Sequence, residues 1–535
     1  HPRSAFYMEE LLKMLIEDGV VIKDGEDWQV DPDRLAAVRV PPTLTAVLQA
    51  RIDLLTAAEK NTLQYASVFG RTFWEKAVDF IARRSALLDT GHSLAALCRR
   101  EMVYQSDAPT LMATAEYIFQ HVMLRETVYE TILKRDRPAF HARAADWLIT
   151  YSAERESEFV GQIADHFERA GNAEKAVQYL TRAAVGALQS YAYREAVDYF
   201  SRALNLLPSG SRERIPLLVQ TGEALWYLGA YEQARQPLQE GLALAKAHAA
   251  DGWCAEALIH LGGIARKQGD VPQAQAMLLE SLDFASRLGD PGRIARARLT
   301  LGWLAIRQGD YPEAHRFLLE SRDIYETVGD RRGQADALNG LGTAALNLGE
   351  YGSARQFYQE GLALYHALSD RPGESAALVN LGEAARRQGD YAAAREYYEA
   401  ALKIDYEMGD EILAAITLGN LGHTALACRD DAVAEDYYCK GLAAAAAIND
   451  VPGMLDVLSG LAGVLIHTGR PEQALVVLGV VLAHPGLEDE SRQIAGQALA
   501  DLQRTHPPAQ VQAGLAAGSR RSLAEVVSGI LTSGT

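Results

Sequence analysis

The chain has 535 residues, 48% hydrophobic and 23% charged, the mix of a folded globular protein. Acidic residues outnumber basic ones 70 to 52, and the formal charge of −18 excludes wholesale wrapping of nucleic acid or of an anionic membrane. Cys98, Cys254, Cys428 and Cys439 are too scattered for a disulfide framework or a CxxC metal site, and no apolar run reaches the ~18 residues that span a bilayer.

The expected location is the cytoplasm. The first residue is His1 and no signal-peptide pattern follows it, so the chain is expected to be a fragment whose missing N-terminal part holds the chemistry. Phe6 to Leu12 begin an amphipathic helix running to about Glu17. Val20-Val21-Ile22 and Trp28-Gln29-Val30 flank a charged turn and read as a hairpin. Val40-Pro41-Pro42 breaks the chain. Helical patterns follow near 44–55, 57–69, 73–83 and 91–101, and then Met102–Gln105 and Ala115–Phe119 read as two strands around a loop holding Asp107 and Pro109. Three or four helices closed by a hairpin predict a small winged-helix domain.

Beyond residue 150 the sequence repeats. Alanine recurs every 40 residues from Ala234 to Ala474, leucine from Leu261 to Leu461, glycine from Gly262 to Gly422, and aspartate from Asp290 to Asp450. Each period reads as two helices. Ala297, Leu301, Leu304 and Ala305 form the apolar face of a first helix. Gly309 suits a left-handed C-cap, and Asp310 suits the N-cap of a second helix over 311–328 with Ala314, Phe317 and Leu318 inward. Gly302 permits close approach of the partner helix. One such hairpin cannot bury its own apolar face, so neighbours must stack into a continuous core.

The pattern L-G-x-x-A followed by G-D-Y-x-x-A resembles tetratricopeptide repeats of the 40-residue type, and Tyr191 to Pro208 fits the 34-residue form. The resemblance implies a mainly α fold: a right-handed α-superhelix of tetratricopeptide repeats preceded by the winged helix with its short β-hairpin. A second resemblance covers residues 1–150. The runs S-A-F-Y-M-E-E-L-L, V-P-P-T-L-T-A-V-L-Q-A-R-I-D-L-L and Y-I-F-Q-H-V-M-L-R-E-T-V-Y-E-T-I-L resemble bacterial STAND-type (AAA-like) signalling ATPases. In that layout a cyclase or kinase and an ATPase precede a winged helix and tetratricopeptide repeats. The implied organisation is 1–40 as the tail of the ATPase module, 41–150 as the winged helix, and 151–210 as the first repeat-type helices. The 40-residue repeats then occupy 211–490, with capping helices and a tail over 491–535.

The phosphate loop G-x-x-x-x-G-K-[ST] is absent from these residues. No catalytic role is therefore expected in this stretch, and ATP and Mg are expected only in an upstream module. No metal or cofactor ligand set stands out. His121, His141 and His166 are read as capping or interhelix hydrogen bonds, because no ligand spacing joins them. Arg83, Arg84, Arg99 and Arg100 border the candidate recognition helix, but DNA binding is not the expected role.

The best candidate site is the groove lined by the first helix of each repeat. Carrying the motif over by position places Trp226 and Tyr227 there, with Glu256, Ile259, Arg266 and Lys267 in the next repeat. Arg296, Trp303 and Arg307 follow, then Asp336, Asn339, Thr343 and Asn347. Asn380, Glu383, Arg386 and Arg387 come next, then Asn420 and His423. Arginine and tryptophan anchor interfaces, and an asparagine at this level can bond a ligand's backbone. Salt bridges along a solvated face, and asparagines bridging helices, are the plainer reading.

The expected function is a sensor region. A protein or peptide trigger binds the groove and controls an upstream ATPase in cis, with assembly on activation in keeping with the class. The alternatives are a passive adaptor and part of a transcription regulator.

Overall fold

In the computed structural model the described residues are 2–24, 27–32, 34, 41, 43–82, 89–107, 110, 114–152 and 155–533. Val40, Pro42, Arg83, Arg84 and Pro109 lie outside them. The chain divides into two compact units, His1–His248 and Ala249–Thr535. Among the described residues no helix is long and apolar enough to cross a membrane.

The first unit opens on helix Pro2–Glu17 and the antiparallel hairpin Val21–Asp24 and Asp27–Val30. Helices Leu44–Asp53, Ala57–Phe69, Glu75–Ala82 and Thr90–Arg99 follow. Thr56 and Glu59 form a reciprocal capping box that fixes the start of the second of these. The helix expected over 73–83 begins two residues later. Thr72–Trp74 is a strand instead, pairing Phe73 with Tyr117 of strand Glu116–Phe119, which in turn pairs with Val103–Gln105. The aromatic pair Phe73-Trp74 gains more from cross-strand burial than from a first helical turn, and Phe73 is fully buried. The sheet order is therefore first, third, second.

A buried charge network ties this region together. Arg51, 1% exposed, donates to both Glu17 oxygens (2.7 and 3.1 Å), to Glu10 and to the Arg100 carbonyl (2.7 Å). Helices Arg137–Tyr151 and Glu156–Arg169 come next and meet through two buried imidazoles, with His141 Nδ1 2.9 Å from His166 Nδ1. His141 Nε2 lies 2.8 Å from the Tyr129 hydroxyl. Paired helices Ala173–Gln189, Tyr193–Leu206, Arg214–Tyr227 and Tyr231–Ala247 complete the unit.

The second unit is a tandem α-solenoid. First helices Asp251–Lys267, Pro291–Gln308, Arg331–Asn347, Arg371–Gln388, Glu411–Ala427 and Val451–His467 alternate with second helices. These are Val271–Leu288, Tyr311–Val328, Tyr351–Leu368, Tyr391–Met408, Asp431–Ala447 and Pro471–Ala483. The punctuation read from the sequence is present. Asp290, Asp310, Asp330, Asp370, Asp390 and Asp410 accept backbone N–H groups at helix starts, and Gly289, Gly309, Gly329, Gly389 and Gly409 cap helix ends with positive φ. Ala297, Leu301, Leu304, Ala305, Ala314 and Leu318 are buried, while Phe317 is half-buried.

The first five helical pairs each interlock at one small–large contact, beginning with Gly262 against Leu278. A Cβ at Gly302 would stand 2.5 Å from Leu318, one at Gly342 2.5 Å from Tyr358, one at Gly382 2.7 Å from Tyr398 and one at Gly422 2.5 Å from Tyr438. The array ends in helices Asp489–Thr505, Pro508–Ser519 and Leu523–Ser533. There Gly518 and Gly479 bring two backbones together, since a Cβ on Gly518 would lie 2.2 Å from the Val476 carbonyl oxygen.

Candidate functional site

Neighbouring first helices of the second unit touch one another, for example 251–267 with 291–308 and 411–427 with 451–467. Second helices pack mainly against the first helices that flank them. The first helices thus form the inner layer. The residue after each L-G pair varies, as Gly263, Trp303, Thr343, Glu383 and His423, and Gly463 follows Leu461-Ala462 at the same register.

In three successive repeats a buried tyrosine holds that variable residue from behind. Tyr358 Oη lies 3.1 Å from Thr343 Oγ1, Tyr398 Oη donates to Glu383 Oε2 at 3.2 Å, and Tyr438 Oη lies 2.8 Å from His423 Nδ1. All three tyrosines are fully buried. Burial pushes the Tyr358 hydroxyl up to about 12 and those of Tyr398 and Tyr438 well above the usual range, so they stay protonated. The 40-residue spacing of Tyr358, Tyr398 and Tyr438 is visible in the sequence. It goes unread there because each tyrosine sits on a second helix, away from the groove.

The remaining candidates fall into paired and unpaired groups. Asn380 Nδ2 donates to Asn339 Oδ1 at 2.8 Å, a bridge between neighbouring repeats. Asn420, one repeat on, makes no side-chain hydrogen bond among the described residues. Glu383 accepts from Arg386 (2.8 Å) and Arg387 (2.6 Å). Burial works to raise the Glu383 pKa, but these two guanidiniums outweigh it and hold the carboxyl below the usual range. His423 Nε2 lies 3.0 Å from Asp456 Oδ2, and Ser491 Oγ donates to Asp456 Oδ1 at 2.8 Å. Glu256 pairs with Arg296 at 3.0 Å and with Arg293 at 3.3 Å. Asp336 accepts from Tyr365 at 2.6 Å, and Asn347 donates to the Thr343 carbonyl at 2.9 Å. Ile259, placed with the groove by register, is buried and belongs to the packing. Trp303 is half-buried, and Lys267 and Arg307 are exposed.

Trp226 and Tyr227 lie in the first unit. Tyr227 stacks on Tyr193 with ring centroids 4.9 Å apart, and Trp226 meets Tyr227 edge-on at 5.1 Å.

Two further polar clusters are resolved. Glu9, Glu10 and His121 bring potential ligand atoms within 4.8 Å of one another. Lys13 already bridges Glu9 and Glu10, and Arg51 takes Glu10, so their charge is met by cations of the chain itself. Asp405, fully buried, accepts from Ser375 and from Thr417 (2.9 Å) and makes no ion pair among the described residues, and burial raises its pKa.

A tetratricopeptide-repeat family model matches residues 253–327, 333–407 and 374–447. Two further tetratricopeptide-repeat models match 299–366 and 455–479. The 40-residue array is a run of tetratricopeptide repeats. The fold as a whole is similar to the crystal structure of a Signal Transduction ATPase with Numerous Domains (STAND) protein with a tetratricopeptide repeat sensor from Pyrococcus horikoshii. That similarity has 15% identity and a TM-score of 0.54, and covers 93% of this chain and 69% of the other. A Rap protein complexed with Competence and Sporulation Factor aligns with 67% of this chain and 99% of its own, at 15% identity and a TM-score of 0.45. An uncharacterized protein of Rhizobium meliloti (strain 1021) is 27% identical over 232 residues, 39% of this chain. The chain spans about a fifth (21%) of the length of that curated relative.

Proposed function

We propose that the tetratricopeptide repeats are the sensor of a signalling protein and that a protein or peptide trigger binds along the inner layer of first helices. The observation that carries this is the tyrosine ladder. In three consecutive repeats a buried hydroxyl fixes an inner-face side chain that the packing of the core does not need, the arrangement of a preorganised binding surface. The fold shared with a STAND protein from Pyrococcus horikoshii that has a tetratricopeptide repeat sensor supports the same reading. Asn420 offers a free amide beside His423, and Trp303 offers an aromatic face.

In this reading residues 41–150 act as a winged helix that transmits the state of the array to an ATPase module in cis, in the cytoplasm. The trigger shifts a pre-existing equilibrium by preferring one arrangement, and assembly follows. Asn420→Trp, which obstructs the inner layer, is expected to abolish capture of the trigger by the 535-residue chain while leaving its melting temperature unchanged. Unaltered capture overturns the groove as the site. In the longer protein, deleting 155–535 is expected to raise ATP hydrolysis. No change there overturns control in cis and favours the adaptor.

A further inference from the structure

The first helices of the second unit mostly present polar or small residues on their open side. At the register of Ile416 the other copies hold Glu256, Arg296, Asp336, Ala376 and Asp456, and at the register of Ile412 they hold glycine, proline or, once, Arg332. The charges among them are met within the chain. Glu256 pairs with Arg296 at 3.0 Å, Arg332 with Asp370 at 2.9 Å and Asp456 with His423 at 3.0 Å, while Asp336 accepts from Tyr365.

The fifth copy departs from that pattern. Ile412 is 53% and Ile416 46% exposed, and among the described residues no other large apolar side chain on a first helix of this unit is exposed. Helix Glu411–Ala427 is backed by second helix Asp431–Ala447 and flanked by first helices Arg371–Gln388 and Val451–His467, so the side it leaves open is the inner face. Positions 412, 416 and 423 fall on one stripe of a helix, and Gly419 adds no side chain between Ile416 and His423. Asn420 borders the stripe, one turn on from Ile416. A single exposed aliphatic residue is ordinary at a protein surface. Two on one stripe, where the other copies place none, make an apolar step in an otherwise polar layer.

Two observations set the class of occupant. Inner-face charges on the flanking helices are already taken up, Glu383 by Arg386 (2.8 Å) and Arg387 (2.6 Å), and Asp456 by His423. A charged group laid on the isoleucines would lose water and find no counter-charge on those helices, whereas an aliphatic or aromatic group pays no such penalty. The Asn420 amide, which makes no side-chain hydrogen bond among the described residues, offers a donor and an acceptor, the complement of a peptide group.

We propose that Ile412 and Ile416 are the anchor subsite of the inner layer, taking one aliphatic or aromatic side chain of a peptide whose main chain Asn420 holds. The assignment rests on the groove reading above and adds the chemistry of the ligand: an uncharged, bulky residue facing the fifth helical pair of the array.

The test is selection of a randomised heptapeptide library, displayed on phage, against the 535-residue chain. Synthetic copies of the winners are then titrated by fluorescence anisotropy. The winners are expected to share one position filled by Leu, Ile, Met or Phe, and adding them should move the methyl NMR signals of Ile412 and Ile416. Ile412→Ser and Ile416→Ser are each expected to weaken binding about fivefold, the effect of leaving roughly half an aliphatic side chain uncovered. Ile416→Leu, which keeps the volume, is expected to retain the parent affinity. Both side chains are exposed, so the variants are expected to keep the parent melting temperature. Winners with no shared apolar position, a charged residue at that position, or no enrichment at all overturn the proposal. Binding that survives the double serine substitution but is lost in Asn420→Trp overturns the anchor subsite alone. Binding that survives both overturns the groove reading as well.

Discussion

The two units are held together by opposite means. Up to residue 169 the first unit relies on buried polar groups that occur once: Arg51 between Glu10 and Glu17, and the His141–His166 pair. The second unit relies on one apolar device used again and again, a glycine on the first helix receiving Leu278, Leu318, Tyr358, Tyr398 or Tyr438 from the second. A network without copies has no substitute when one member goes, because the partners left behind stay buried and charged. A repeated interlock spreads stability over nearest-neighbour contacts, so one faulty copy weakens its own stretch of the solenoid. The array can therefore vary the residue after each L-G pair without losing its fold, and the non-repeating part has no comparable freedom.

That contrast is sharpest at Arg51. Arg51→Ala leaves Glu10 buried without its guanidinium, and a loss of about 3–5 kcal/mol is expected. Hydrogen exchange should report it across 2–132 and leave 249–533 protected; an effect spread evenly over both units would break the comparison. Next comes the end of the array. Gly518→Val drives a side chain into the Val476 carbonyl, and a loss of about 1–3 kcal/mol or more is expected. Limited proteolysis should then cleave within 489–533 first, and a resistant terminus would show that the helices can separate without cost.

Acid should separate the units as well. Burial and neighbouring positive charge lower the pKa of His141 to about 3 and that of His166 to about 4. Both stay neutral in the folded chain while the unfolded chain takes up protons below about 6.5. Their contribution is present above that value and is lost as pH falls, by about 2 kcal/mol per imidazole at pH 5. Asp405 has the reverse sign. Its raised pKa means that its stabilising contribution is present at low pH and declines as pH rises through the folded value. Denaturant melts of Asp405→Asn should match the parent in acid and exceed it at pH 8. A variant weaker at pH 8 would show that the ionised form is the stabilising one. The smallest effect belongs to Tyr398→Phe, about 1 kcal/mol from one hydrogen bond. It should loosen Glu383, seen as increased side-chain motion by NMR, while the helices around it persist.

Much of this was readable from residue spacing. The caps at Asp290, Asp310, Gly309 and Gly329 follow from local backbone chemistry, which needs no knowledge of distant residues. The interhelix role of His141 and His166 was also within reach. Strand Thr72–Trp74 was not, because its partner Tyr117 lies 44 residues away in the register and local propensity could not weigh it. The groove was legible as a set of positions but not as chemistry. Whether Arg386 meets a ligand or Glu383 depends on rotamers that spacing leaves open. The Asn380–Asn339 bridge and the free amide of Asn420 differ only in what the neighbouring helix presents.

The sequence by itself determined the helical repeat, its 40-residue period and the points at which each helix starts and stops. Those features rest on backbone dihedrals and on apolar faces that a single helical pair cannot cover. Only the tertiary structure decided which polar side chains are consumed by one another and which face outward from the inner layer. That outcome depends on distances across stacked helices, as at Tyr438–His423–Asp456. Desolvation and pairing act through space, and a one-dimensional pattern carries neither.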